Sequence, residues 1–278
     1  MPYQMRCDAH THTLFSRHAY STITENADRA RAVGLELLGS ADHFSAMLFP
    51  EAHIRNYQFF LNTTVWPRVW DGLVLLRGAE VDIVSIDGDL FGQGVPCPES
   101  IVGRRHRRQA DLFERVTAGL DYLVASIHNG EIAEGASLAR TTAMYVAALE
   151  DPKVFILGHT GRSGVPFDID EVLAVAREKH KLIELNEHSL ASDPSGTHVR
   201  SCRAIAERCA ELGVGITVST DAHIAHDIGR APRVIEMLEE IHFPEELVMS
   251  RSAVAFLGEL AAAGIKDLRD LAPRAADE

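Results

Sequence analysis

The chain has 278 residues, 46% of them hydrophobic and 24% charged, which is ordinary for a globular protein and long enough for one large domain or two small ones. Its 40 Asp and Glu against 27 Lys and Arg leave a formal charge of -13, which argues against a protein that tracks a nucleic-acid backbone. No run of 18 apolar residues and no hydrophobic leader occurs, so no membrane partner is expected and the expected compartment is cytoplasmic.

The predicted elements alternate along the chain. A first strand at 5–9 runs into Asp8-Ala9-His10-Thr11-His12, followed by His18. Thr22 and Glu25 have the spacing of an N-cap and its reciprocal partner, and Ala27, Ala30, Val33 and Leu37 form an apolar stripe that Gly34 is expected to interrupt. The second strand, 35–41, ends at Ala41-Asp42-His43, and the stretch after it, 44–64, carries His53, Arg55 and several aromatics. The third strand, 73–81, reaches Glu80. After it comes a Gly-, Pro- and charge-rich stretch with the basic run Arg104-Arg105-His106-Arg107-Arg108, which reads as a solvated face or an anion-attracting rim. A helix is expected at 109–118, then a strand at 122–127 that stops before His128, a helix at 141–150, and a strand at 154–158 that stops before His159. Asp168 and Glu171 open a helix at 169–180. The sixth strand, 182–186, ends in Asn186-Glu187-His188. A helix at 201–212 leads to the seventh strand, 215–220, which runs into Asp221-Ala222-His223, and a last core helix is expected at 233–241. An eighth strand can hide in 245–250, and the tail at 251–271 reads as helical patches that close the bottom or side of the fold. Cys7, Cys97, Cys202 and Cys209 lack ligand spacing and read as packing residues.

Short apolar runs separated by helices favour parallel strands joined by crossovers. Periodicity alone leaves an open doubly wound sheet possible. Titratable residues at the C-terminal ends of different strands favour a barrel, because such ends converge at a barrel mouth, and seven strands alone would leave it incomplete or distorted. Without a persuasive linker or repeat, residues 1–278 read as a single domain with a core over about 5–250 and a C-terminal helical extension.

Side chains two apart on an extended segment face the same way, so His10 and His12 can approach one ion together. His10, His12, His18, His43, Glu80, His128, His159, Asp221 and His223 all fall at strand ends or in the loops beside them. Singly, each has an ordinary explanation as a hydrogen-bonded histidine or a loop cap. Together they are too many for one tetrahedral ion and suit two or three divalent ions with carboxylate bridging.

This ordered set resembles the PHP (polymerase and histidinol phosphatase) domain family, in particular its compact stand-alone bacterial phosphatases. The carrying motifs are Asp8-Ala9-His10-Thr11-His12, His18-Ala19-Tyr20-Ser21, Ala41-Asp42-His43, Gly78-Ala79-Glu80, His128, His159 and Ser219-Thr220-Asp221-Ala222-His223. The resemblance implies a PHP-type fold, a distorted seven-stranded (β/α) barrel that is TIM-barrel-like, with three ion subsites: His10, His12, Glu80 and Asp221; Glu80, His128 and His159; and His18, His43 and His223. The amidohydrolase superfamily also pairs a His-x-His with a late Asp, but its bridging modified lysine has no counterpart in 122–128, where Glu80 can bridge instead.

The resemblance implies hydrolysis of a small-molecule phosphomonoester, with metal-bound hydroxide attacking phosphorus. Glu80 and Asp221 are the expected catalytic carboxylates and His188 the candidate proton donor. Arg17, Arg162 and His226 are the candidate substrate-binding residues, Asp42 a candidate to orient His43, and Asp8 a restraint on the first ligand pair. Zn is the first expected ion, with Mn and Fe close behind. A phosphodiesterase, a histidinol-phosphate phosphatase and a non-catalytic metal-binding interaction module are the alternatives. Thr160 stands where the small bacterial relatives often have a proline, so the loop after His159 is expected to differ in shape.

Overall fold

Residues 3–273 are described in the structure, a computed structural model. Nine strands form: β1 (Cys7–Thr11), β2 (Leu37–Ser40), β3 (His43–Phe44), β4 (Val69–Trp70), β5 (Leu73–Asp82), β6 (Tyr122–Ser126), β7 (Val154–Leu157), β8 (Leu182–Asn186) and β9 (Ile216–Ser219). Seven of them make a parallel sheet in the order β1-β2-β5-β6-β7-β8-β9. The helices are α1 (Ile23–Ala32), α2 (Leu112–Thr117), α3 (Leu138–Glu150), α4 (Ile169–Glu178), α5 (Glu187–Ala191), α6 (Thr197–Leu212), α7 (Pro232–Glu240) and α8 (Ala253–Ala262).

Runs such as Val154–Leu157 are apolar at every position because helices cover one side of the sheet and the barrel interior the other. Gly34, at φ +79, ends α1 as expected, which assigns Leu37 of the predicted helix stripe to β2 instead. The predicted capping box at Thr22 and Glu25 is formed. The expected helix at 109–118 contracts to α2 because Asp111 pairs with Pro96 and becomes the N-cap.

The barrel is nearly closed. Between β1 and β9 there is no full ladder, but His12 N donates to Ala222 O and Asp221 N to His10 O, both at 2.9 Å. The predicted eighth strand is absent: 245–250 forms two short 3-10 turns. A single parallel bridge from Val248 to Ile216 and a bond from Arg6 N to Ser250 O bring this segment to the bottom of the same seam. The sheet is distorted by register shifts between β1 and β2 and between β6 and β7.

At the bottom, α8 acts as a plug, as the tail was expected to. Phe256 packs edge-on against Tyr122 and Phe155, and the Tyr122 hydroxyl donates to Ala9 O at 2.5 Å. Gly39 and Gly78 make room for that tyrosine: a Cβ on Gly39 would sit 2.0 Å from its oxygen. With the lower end filled, the upper end is left for chemistry. Among the described residues no helix is long and apolar enough to cross a membrane.

Candidate metal centre

The register shift in β1 lies between Asp8 and Thr11 and breaks the alternation that would put Asp8 on the side of His10 and His12. Asp8 accepts from Thr220 N, Thr220 Oγ1 and Gly229 N, stapling β1 to the segment after β9. His10 and His12 turn inward. Their Nε2 atoms lie 3.7 and 3.0 Å from Asp221 Oδ1 and 3.3 and 3.6 Å from Glu80 Oε2.

Glu80, fully buried near the end of β5, is the hub. Its Oε1 is 2.7 Å from His159 Nε2 and 3.3 Å from His128 Nε2, and its Oε2 is 2.8 Å from His43 Nδ1. His43 reaches it because β3 pairs with β5 so that His43 stands opposite Glu80. On the outer side, His18 Nε2 faces His223 Nε2 at 2.9 Å, and the two rings flank that of His43.

Three groups of side chains place their ligand atoms within 4.8 Å of one another: His10, His12, Glu80 and Asp221; His43, Glu80 and His128; and His12, His43 and His223. The first is the set expected for one ion. The other two share His12, His43 and Glu80 with their neighbours, so His159 and His18 adjoin them through Glu80 and His223, and the whole is one continuous ligand array.

Divalent ions fit these residues. His10 Nε2, both His43 ring nitrogens, His159 Nδ1 and Glu80 Oε2 are buried without an aligned hydrogen bond, the 2.8 Å approach of His43 Nδ1 to Glu80 Oε2 being close but misdirected, a condition that costs roughly 1–3 kcal/mol per group when nothing else satisfies it. The donors are imidazole nitrogens and carboxylate oxygens with no thiolate, a set that suits Zn, Mn or Fe.

Burial and close opposite charges act against each other on these groups. Burial pushes the Glu80 carboxyl up, but His10, His128 and His43 more than reverse this and hold it well below the usual range; His10 and His12 do the same for Asp221. Burial and the neighbouring His43 drive His12 well below its usual value, keeping it neutral. Burial opposes charge on His10 and His128, yet Glu184, Glu80 and Asp221 raise the first, and Glu80 and Asp82 raise the second to about 10. Ion uptake therefore has to displace protons.

Several partners that hold the ligands are not evident as ligands themselves. Glu184 accepts from His10 Nδ1 at 2.7 Å, and Asp82 from His128 Nδ1 at 2.7 Å. Both sit two residues from another inward-facing polar group, Asn186 and Glu80, which is the strand alternation that identifies them. Asp42 does not touch the His43 ring. It accepts from Thr13 and Ser16, and Ser16 in turn contacts His12 Nδ1 and accepts from His43 N, so its influence on both ligands passes through that serine.

The remaining candidates divide. Arg162 reaches the centre, donating to Asp221 Oδ2 at 3.2 Å, and the exposed His188 lies with its ring 6.3 Å from that of His223. Arg17 instead donates to Leu48 O and lies over the Phe49 ring, bracing the loop after β3. His226 bonds to Arg230, and Glu187 accepts from the first turn of α7. The basic run is exposed, with Arg105 near Glu99 and Arg108 paired to Glu114. His159 and Asp221 both have positive φ, 30° and 55°, a strained backbone of the kind that gathers at functional sites.

The sequence pattern of the PHP domain matches residues 8–188. A probable phosphatase of Clostridium acetobutylicum is 36% identical over 258 residues, covering 92% of this chain and 95% of that protein. Another from Caldanaerobacter subterraneus subsp. tengcongensis is 36% identical over 253 residues, covering 91% and 89%. Among solved structures, histidinol phosphate phosphatase from Lactococcus lactis, crystallised with zinc, L-histidinol and phosphate, superposes with a TM-score of 0.53. It is 17% identical, with 87% of this chain and 95% of that one covered, which is a likeness of fold.

Proposed function

Because the chain belongs to the PHP-domain family, we propose that it hydrolyses small-molecule phosphomonoesters with two or three divalent ions bound at the barrel mouth. The observation that carries the proposal is the buried carboxylate of Glu80, ringed by imidazoles with several nitrogens left unpartnered. The relatives named as probable phosphatases, matched over nearly their whole length, support the reaction class.

His10, His12, Glu80 and Asp221 would hold one ion, Glu80 with His128 and His159 a second, and His18, His43 and His223 a third; Zn is the first choice, with Mn and Fe next. Such ions supply a water nucleophile at neutral pH and neutralise phosphoryl charge. The protein's own groups do the rest. Asp221 and Glu80, both ionised, orient the ligand imidazoles through the short contacts above. Arg162, half-buried against Asp221, has further N–H groups with which to clamp phosphoryl oxygens. His188 would hand a proton to the departing oxygen, a role that its exposed ring, 6.3 Å from that of His223, supports. Arg17 and His226 each have one polar atom engaged, with Leu48 O and with Arg230, and their remaining nitrogens keep them as candidate substrate contacts at the rim. We read the chain as one such domain with its core over about residues 5–250.

The test is a comparison of p-nitrophenyl phosphate with its bis ester on ion-loaded enzyme. The proposal expects kcat/KM for the monoester to exceed that for the diester by at least about 100-fold, roughly the 2.7 kcal/mol that a misfitting second substituent would cost. A preference for the diester would make this a phosphodiesterase.

A further inference from the structure

We propose that Glu184 is a positioning residue that serves two ion subsites at once, setting the tautomer of His10 and the backbone of His159. The inference rests on the metal-binding part of the function above and on nothing about its substrate.

Glu184 is 2% exposed and lies on β8, a strand from which none of the nine proposed ligands comes. Its Oε1 is 2.7 Å from His10 Nδ1, while its Oε2 accepts from His159 N at 2.8 Å and Asn186 Nδ2 at 3.2 Å. An ionised carboxylate only accepts, so His10 must carry its proton on Nδ1. That leaves the Nε2 lone pair aimed at the space beside Glu80 Oε2 and Asp221 Oδ1, where a ligand is wanted. The other oxygen secures His159 at the residue whose φ is +30°, so the strained start of that loop is tied to the same side chain.

A glutamine cannot replace it, because all three partners donate and an amide must turn its NH2 group toward one of them. The backbone N–H of His159 cannot change. His10 can, by moving its proton to Nε2, which blocks the lone pair that faces the ion. Asp82 offers the contrast: of the proposed ligands it contacts only His128.

Ion-free protein would be reloaded stepwise with zinc, and with manganese in parallel, counting bound ions and their affinities for the wild type, Glu184→Gln, Glu184→Ala and Asp82→Asn. Glu184→Gln, which keeps one oxygen for His159 N, is expected to weaken one ion by about 10–100-fold, Glu184→Ala, which keeps neither oxygen, two, and Asp82→Asn one. Glu184→Ala filling like the wild type, or losing a single ion as Asp82→Asn does, would overturn the proposal. Melts in EDTA report whether the variants fold. Should Glu184→Ala not fold, ¹⁵N spectra of the histidines in zinc-loaded wild type decide: a proton on His10 Nδ1 supports the assignment, and one on Nε2 overturns it. Wild-type protein that takes up no ion at all would overturn the metal reading and this inference together, an outcome distinct from the others.

Discussion

Glu80→Gln replaces one carboxylate oxygen by an amide nitrogen at a position where both oxygens are in use, Oε1 toward His159 and His128, Oε2 toward His43, His10 and His12. Two of the proposed ions share this side chain. At a free-ion concentration about a hundredfold above Kd, each ion stabilises the folded state by about 2.7 kcal/mol, so two contribute about 5 kcal/mol. For a chain of this size that is on the order of 10–20 °C in Tm, using roughly 2–4 °C per kcal/mol. The assay is a pair of thermal melts, with ion and with EDTA, on wild type and variant. Wild type should lose that margin in EDTA. Glu80→Gln should melt low in both conditions, since the metal-free protein also loses a buried charge partner for His10 and His128, worth about 3–5 kcal/mol where such a pair is broken. The reasoning fails if the variant keeps the wild-type difference between ion and EDTA.

Gly39→Ala puts a Cβ 2.0 Å from the Tyr122 hydroxyl and 3.0 Å from Ala9 backbone, so it should cost at least about 3 kcal/mol of stability in denaturant titration, partly restored by adding Tyr122→Phe. An unchanged midpoint would contradict the placement of Tyr122 across the barrel. Lys181, 3% exposed and bonded to the Val154 and Asp151 carbonyls, is pulled down by burial from 10.5 to about 8. The unfolded chain then binds more protons than the folded one between about pH 8 and 10.5, so wild-type stability should rise with pH across that window relative to Lys181→Met, by on the order of 2 kcal/mol. Parallel pH dependences of the two melts would refute it.

The convergence of the candidate ligands was legible in the sequence for a physical reason. His10, His43, His128, His159 and Asp221 stand where apolar runs stop, and in a parallel barrel all such stops face one mouth. The seven core strands were legible for the same reason, their apolar runs being buried on both faces. Glu184 could have been read as well: Ile183 and Leu185 both pack in the main core, which leaves Glu184 and Asn186 for the barrel interior. The turns at 245–250 differ from the predicted strand because a single bridge at Val248 yields the same local apolar pattern as a short ladder. Asp8 and Asp42 were legible as supporting residues but their partners were not, since Thr220, Gly229, Thr13 and Ser16 lie 26 or more residues away. The contacts of Arg17 with Leu48 and of His226 with Arg230 depend on loop conformations that no periodicity records.

The most direct measurement is phosphate release from a panel of small phosphomonoesters, with metal content determined on the same anaerobically purified sample, for wild type and Asp221→Asn. The account predicts two or three ions per wild-type chain, release that chelation abolishes and ion replacement restores, and a loss of at least about 100-fold in Asp221→Asn. Full ion occupancy in the wild type with no release from any ester in the panel would contradict it.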